Sequence, residues 1–468
     1  MSLVCRRSYR SICADIRNPN GFYRLIKFQL IINLLFMFGF LKRYRKNQNT
    51  REPNRVLIMV ENLPSPFDRR VWMESTTLIK AGYQVSIVCP KGKGYEKSYE
   101  VIDDIHIYRH PMPPDISSVK GYLTEYATAL FWEFRLAHRV WRERGFDIIH
   151  ICNPPDLLFL IAGWFKLLKG VKVIFDHHDI NPEMYEAKYG RRDFFYYGLC
   201  LVERLTFATA DIVISTNESY REIALKRGHK QPEDVFVVRS GPDLSRFLPT
   251  PVNPTYRRHK KYLVGYVGVM GEPEGLDYLL ETVRYLVFDK NIRDIQFMLI
   301  GSGPMFEELQ NLAARLEVED FVEFTGRISD RELLERLSSC DVCVNPDKKM
   351  PYNDKSTMNK IMEYMAMGKP IVQFDLMEGR RSAGDAAVYA EGNNAIDFAE
   401  KIIELLANPE ARQQMGEVGL RRMQESLEWR YQIPILLEAY GCQDWQKSVT
   451  KNSNNQNLNT QTEVISKQ

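Results

Sequence analysis

The feature that most constrains this chain is a repeated alternation. From Arg55 onward, short Val/Ile-rich runs ("RVLIMV", "QVSIVCP", "IHIYRH", "DIIHICN", "KVIFDHHD", "DIVIST", "VFVVRS") are separated by longer stretches of helical character. Continuous apolar runs are strands buried on both faces, and parallel buried strands need helical crossovers, so the pattern predicts doubly wound α/β units. It breaks around residues 245–262, at "RFLPTPVNPTYRRHKK", a stretch rich in proline and cations that reads as a linker. The alternation then restarts with "LVGYVG", "QFMLIG", "VEFTG", "DVCVNP", "PIVQFD" and "AVYAE". At 468 residues the chain is too long for one ordinary core, and two similar halves facing each other across a hinge are expected. The expected division is 1–51, a basic front; 52–247 and 263–425, the two α/β domains; 426–445, a last helix; and 446–468, a polar tail poor in anchors and expected to be disordered.

The formal charge of +3 hides an asymmetry: residues 1–51 carry +10 and the remainder −7. Within that front, "FQLIINLLFMFGFL" at 28–41 is apolar and flanked by Lys27 and "KRYRK". It is shorter than the roughly 20 residues of a spanning helix and too late for a signal peptide. A helix lying in or dipping into the cytoplasmic leaflet fits better, since both flanks carry cations that anionic lipid attracts; the alternative is a helix buried on the body. Eight scattered cysteines fit reduced thiols in a cytoplasmic protein. Cys340 and Cys343 form a C-x-x-C, but no second pair completes a zinc site, and the run reads as a buried strand. No metal and no nucleic-acid partner are expected.

Open parallel sheets bind ligands outside the carboxyl ends of their strands, so the residues after each run are the candidates. "VIFDHHDINPEMYEAKYG" gathers Asp176, His177, His178, Asp179 and Glu183 within eight positions. Imidazole and carboxylate together bind metals or move protons. Neighbouring side chains of an extended segment point to opposite faces, which argues against a shared zinc ion. Five ionisable groups at a strand end are costly unless they meet water or a ligand, which argues against a purely structural role. The reading is a polar site with one histidine facing the cleft and the other supporting it. After the first strand, "ENLPSPFDRRVWMES" has no G-x-G-x-x-G; Arg69 and Arg70 suit a phosphate or carboxylate, or form a solvated pair at a helix start. "GYVGVMGEPEGLDYLLE" and "LIGSGPMFEELQ" place Gly268, Gly271, Gly301 and Gly303 in strand-to-helix turns of the kind that let a backbone approach a diphosphate.

In "STMNKIMEYMAMG", Met358, Ile361, Met362 and Met365 recur at helical spacing and form a buried stripe. Ser356 or Thr357 is the expected N-cap and Gly368 the C′ residue. Lys360 and Glu363 then lie opposite the stripe, either as an i,i+3 ion pair or as ligands to phosphate and sugar hydroxyls.

Taken in order, "FDHHDINPEMY", "GPDLSRF", "IGSGP", "FTGR" and "NDKSTMNKIMEYMAMGKPIV" resemble the family 4 retaining glycosyltransferases of GT-B fold, in particular bacterial members of cell-surface polysaccharide assembly; the match covers about residues 53–445. The resemblance implies two Rossmann-like domains facing a cleft, the first binding acceptor and the second donor, with the last helix crossing back. It implies transfer of a sugar, with retention, from a nucleotide-sugar to a hydroxyl of a lipid-linked or glycan acceptor. No cofactor beyond the donor is implied, and no metal, because cations and helix dipoles take over the charge of the leaving diphosphate. Glu363 matches the glutamate that contacts the ribose. His177, His178 and Asp179 would stand near the transferred sugar, the four glycines near the diphosphate, and Arg69, Arg70 and Glu183 on the acceptor side. The chain departs from the family pattern twice: Lys355 stands where a first glutamate is usual, and Val269, Met270 and Glu274 replace the usual cations of the first donor-domain turn. Phosphate charge is then expected to meet Lys360, Lys355 and Arg327, and the sugar to meet Asp354, Asn353 or Ser356, with Thr357 and Asn359 beside them. The implied setting is cytoplasmic, attached peripherally to the inner face of the cell membrane. These departures also admit a catalytically weak nucleotide-sugar-binding protein; a nucleotide-sugar epimerase on the same architecture is a further alternative.

Overall fold

The computed structural model describes residues 54–111 and 119–442. The expected membrane-associating segment within 1–51 and the polar tail 446–468 lie outside the described residues. The first sheet holds β1 (Arg55–Met59), β2 (Gln84–Pro90), β3 (Tyr99–Ile102), β4 (Ile105–His110), β5 (Ile148–Cys152), β6 (Lys172–His177), β7 (Ile212–Ser215) and β8 (Val235–Val237), ordered β3-β4-β2-β1-β5-β6-β7-β8. The second holds β9 (Tyr262–Val267), β10 (Ile295–Ile300), β11 (Val322–Gly326), β12 (Val342–Asn345), β13 (Ile371–Phe374) and β14 (Ala387–Ala390), ordered β11-β10-β9-β12-β13-β14. Every pairing is parallel except β3 with β4.

Both faces of each sheet are covered, which is why the strands read as unbroken apolar runs. On β1 the two-residue period sends Leu57 and Met59 to one core and Val56 and Ile58 to the other. All thirteen runs quoted above form strands. The strand that no run announced is β3, whose "YEVI" alternates exposed and half-buried residues at the sheet edge. An edge strand needs no continuous apolar run, so its sequence resembles a loop.

The stretch between the sheets is docked on the second domain. Thr250 and Asn253 donate their amides to the Ser338 and Ser339 hydroxyls, and Arg257 pairs with Asp341. Helix Trp429–Tyr440 packs against the first domain: Trp429 Nε1 donates to Thr77 Oγ1 at 3.0 Å, and the Tyr440 hydroxyl lies against His150. Cys340 and Cys343 are free thiols in the second core, with the Cys340 sulfur filling the space a side chain at residue 265 would need.

Candidate functional site

Both sheets reverse their winding direction beside the first strand of each domain, and the carboxyl ends of the strands meet at a cleft of about 300 Å³. The first domain lines it with Arg70 after β1, His178 and Asp179 after β6, Thr216 and Tyr220 after β7, and Ser240 after β8. The second contributes Glu274 after β9, then Asp347, Tyr352, Asn353, Ser356, Thr357, Met358 and Asn359 after β12.

One side chain shapes the first wall. Buried Asn153, just past β5, accepts the His178 and Asp179 amides on Oδ1 at 2.7 and 3.2 Å and donates to the Asp179 carbonyl at 2.6 Å. This turns the chain so that His178 and Asp179 face the cleft. Beneath them Arg70 holds Asp176 in a fork, Nε to Oδ2 at 2.9 Å and Nη2 to Oδ1 at 2.7 Å, and Nη1 donates to the Val238 carbonyl and Ser240 Oγ. Burial alone would raise the Asp176 pKa, but the guanidinium outweighs it and holds the carboxyl well below the usual range. Glu74, 3.1 Å from the same guanidinium, is pushed well above by burial and by the Asp176 charge, so the proton of the cluster resides on Glu74. His178 Nε2 is turned inward onto Asp176, and Nδ1 makes no hydrogen bond among the described residues.

The second wall is a helix start. Helix Asn359–Ala366 has Met358 as its N-cap, with no side chain capping its first amides. The open, partly positive end of the helix therefore borders the cleft. Ser356 and Thr357, expected as N-caps, instead join the domains: Ser356 Oγ meets the Tyr220 hydroxyl at 2.9 Å, and Thr357 Oγ1 accepts from Asn217 Nδ2 at 3.0 Å. At the far end Gly368 at φ +63° closes a Schellman motif, its amide bonding the Met365 carbonyl and that of Lys369 the Tyr364 carbonyl. Ile361, Met362 and Met365 form the buried stripe, whereas Met358 turns to the cleft.

Lys360 Nζ lies 2.8 Å from Asp347 Oδ1, with side chains 10 % and 1 % exposed. Burial works against the ammonium, but Asp347 outweighs it and raises the Lys360 pKa. Asp347 Oδ2 and Glu274 Oε2 are buried without hydrogen-bond partners, so two acids border the cleft, Glu274 in the turn where the resemblance implies cations. Glu363 accepts from Arg69 Nη1 at 3.3 Å across the domain boundary; burial raises its pKa against the pull of Arg69.

Several expectations need correction. His177 does not reach the cleft: its ring is enclosed by Phe175, Phe207 and Tyr220 with neither nitrogen bonded, and burial lowers its pKa to about 3. It is a neutral core residue. Glu183 faces no acceptor, because Arg227 grips both its oxygens at 3.0 and 3.1 Å and Lys355 Nζ adds a bond at 3.0 Å. Lys355 is thus a link between domains, with its charge committed to Glu183. Asp354 lies outside the cleft lining and accepts the Met377 amide at the start of the next helix. Arg327 stacks on Phe67 of the first domain at 4.6 Å, and Arg69 is committed to Glu363 and Asp330. Arg70 borders the cleft, but its charge is spent on Asp176. Gly301 and Gly303 serve turn-to-turn packing: a Cβ on either would collide with the backbone of Gly268 or Met270. Gly268 abuts Lys360, and Gly271 abuts Glu274.

Tyr352, Tyr220, Ser240, Thr216 and Asp347 were not singled out from sequence. Asp347 carried the clearest signal, an acid two residues past the end of β12, where the rule for parallel sheets directs attention. Tyr352 closes the cleft by donating its hydroxyl to Asp179 Oδ1 at 3.0 Å. A candidate metal cluster, His150, Cys152 and Asp176 with ligand atoms within 4.8 Å of one another, is fully enclosed. Its Asp176 is already neutralised by Arg70, so a divalent ion there would face a guanidinium.

Comparison with known proteins follows the same division. Residues 68–246 match the family model described as Glycosyltransferase Family 4, and residues 261–408 that described as Glycosyl transferases group 1. D-inositol 3-phosphate glycosyltransferase of Geodermatophilus obscurus is 29% identical over 51% of this chain, and the match spans about half of that relative (54%). An uncharacterized glycosyltransferase of Haemophilus influenzae is 29% identical over 78% of this chain and 92% of its own. Sucrose-phosphate synthase of Thermosynechococcus elongatus superposes with TM-score 0.69 at 18% identity, covering 83% of this chain and 98% of its own. Anabaena HepE in complex with UDP and glucose superposes with TM-score 0.64 at 13% identity, covering 83% and 99%. The fold is GT-B, and the chain belongs to glycosyltransferase family 4.

Proposed function

We propose that this protein transfers a sugar, with retention, from a nucleotide-sugar donor to an acceptor hydroxyl, and that the acceptor is lipid-linked material of cell-surface glycan assembly. The observation that carries this is the opposition of His178 and Asp179 on one wall to the uncapped helix start at Asn359 on the other. A helix N-terminus, being partly positive, suits the negative charge that develops on a leaving diphosphate. The UDP and glucose in the HepE complex support a donor of this class. Asp176 orients His178 so that the Nδ1 edge is left for the sugar or acceptor. Glu363 is proposed as the contact to donor hydroxyls, with Arg69 as its partner. Peripheral attachment through the basic front 1–51 would bring the cleft to a membrane-borne acceptor.

A second reading, nucleotide-sugar binding with weak turnover, is favoured by Glu274 and Asp347, which put negative charge beside the place where phosphates would lie. An acceptor-free incubation with single nucleotide-sugars tests the assignment. A transferase returns the donor unchanged or slowly hydrolysed; conversion to the epimeric donor would overturn the proposal in favour of an epimerase.

A further inference from the structure

Three helices cover one side of the first sheet: Val119–Glu143, Phe159–Lys169 and Phe194–Thr209. They are neighbours, since Phe134 packs on Trp164 and Lys166 donates to the Thr209 carbonyl. Their outward side carries large apolar side chains as well as polar ones. Phe194, Tyr197 and Leu201 recur at i, i+3 and i+7 and are 75 %, 60 % and 49 % exposed, joined by Phe131 at 60 %, Leu160 at 49 % and Leu168 at 55 %. Among the described side chains of this face are seven exposed arginines and lysines, including Arg135, Arg191, Arg192 and Arg204, against one exposed acid, Glu143. Asp193 and Glu186, both half-buried, pair with Arg191 and Arg192. A body that carries −7 outside its front thus concentrates positive charge on one apolar face.

We infer that this face docks on an anionic lipid surface. Large exposed apolar side chains interleaved with cations match a headgroup region, where aromatic rings enter the interface and guanidinium groups meet lipid phosphate. A second copy would bring two cationic faces together. The chain's own apolar run at 28–41 carries basic flanks, so it is repelled as well. Outward leucines do not stack on bases, which disfavours nucleic acid. The inference rests on the proposed peripheral attachment and adds to it a surface separate from residues 1–51. Helix Asn181–Tyr189, which begins just after His178 and Asp179, packs on Phe194–Thr209, so docking here would hold the His178 wall near the lipid.

The test is partition of the full chain onto vesicles of phosphatidylcholine with about one third phosphatidylglycerol, compared with neutral vesicles. The variant Phe194→Ser/Tyr197→Ser/Leu201→Ser should bind anionic vesicles about tenfold or more weaker, and Arg191→Glu/Arg192→Glu should reduce binding further as salt is lowered. Because these side chains point outward, circular dichroism and nucleotide binding should match the wild type. No vesicle binding by the wild type would overturn the attachment reading and the inference together. Vesicle binding by the triple variant equal to that of the wild type would overturn only the inference. So would a loss, in the triple variant, of self-association or nucleic-acid retention with vesicle binding unchanged.

Discussion

Lys360 and Asp347 offer the most quantitative check on how a donor would be held. Their contact is 2.8 Å long and nearly enclosed, so removing the ammonium alone leaves a buried carboxylate without compensation. Breaking a buried pair from one side costs about 3–5 kcal/mol. That is a large share of the roughly 5–15 kcal/mol that separates a folded protein from its unfolded chain. Lys360→Met should therefore shift the denaturant midpoint sharply downward. Replacing the acid as well removes the stranded charge, and Lys360→Met/Asp347→Asn should recover all but about 1 kcal/mol. If the ammonium also faces the donor's diphosphate, the recovered double variant folds yet binds nucleoside diphosphate more weakly by about 1.5–3 kcal/mol, roughly 10- to 150-fold. Denaturation followed by circular dichroism supplies the first quantity and calorimetric titration with UDP the second. Full-strength UDP binding by the folded double variant would reduce the pair to a structural role. A single variant as stable as the wild type would refute the charged state assigned to Asp347.

Three further outcomes are expected. Gly301→Ala should lose about 3 kcal/mol or more, because φ at this residue is +135° and the added methyl meets the Gly268 carbonyl; a thermal midpoint within a degree or two of wild type would contradict the packing described. The His177 pKa is lowered from its ordinary 6.5 to about 3 by burial, so its contribution to stability is complete above 6.5 and is lost as pH falls toward 3. Between about pH 8 and pH 5 the wild type should lose about 2 kcal/mol through this residue, and His177→Phe should be spared that loss in paired denaturant titrations. Glu363→Ala should lower transfer while leaving the fold intact, since it lies off the methionine stripe; unfolding seen by circular dichroism would mark the residue as structural.

The strands were legible because each is buried on both faces, which leaves an unbroken apolar signature in thirteen of fourteen cases. The cleft was legible in part, for the reason that sheet geometry dictates where ligands sit but not how ionisable groups pair. "DHHD" announced a polar strand end, yet which histidine faces the cleft depends on Asn153, a residue just past another strand. Glu183, Lys355, Arg70 and Asp176 are spent on one another or on Arg227, partnerships across 44 to 172 positions of sequence that no local spacing encodes. Glu274 and Asp347 show the converse: one carboxylate oxygen of each, Oε2 and Oδ2, stays without a hydrogen-bond partner at the cleft, a state visible only once the two walls are assembled.

The most direct test of the central claim is incubation of the full chain with a panel of radiolabelled nucleotide-sugars and a membrane lipid extract. The account predicts incorporation from at least one donor into lipid-extractable or glycan product, and loss of that incorporation in a folded His178→Ala variant. Absence of transfer from every donor, with nucleoside diphosphate still bound, would contradict it.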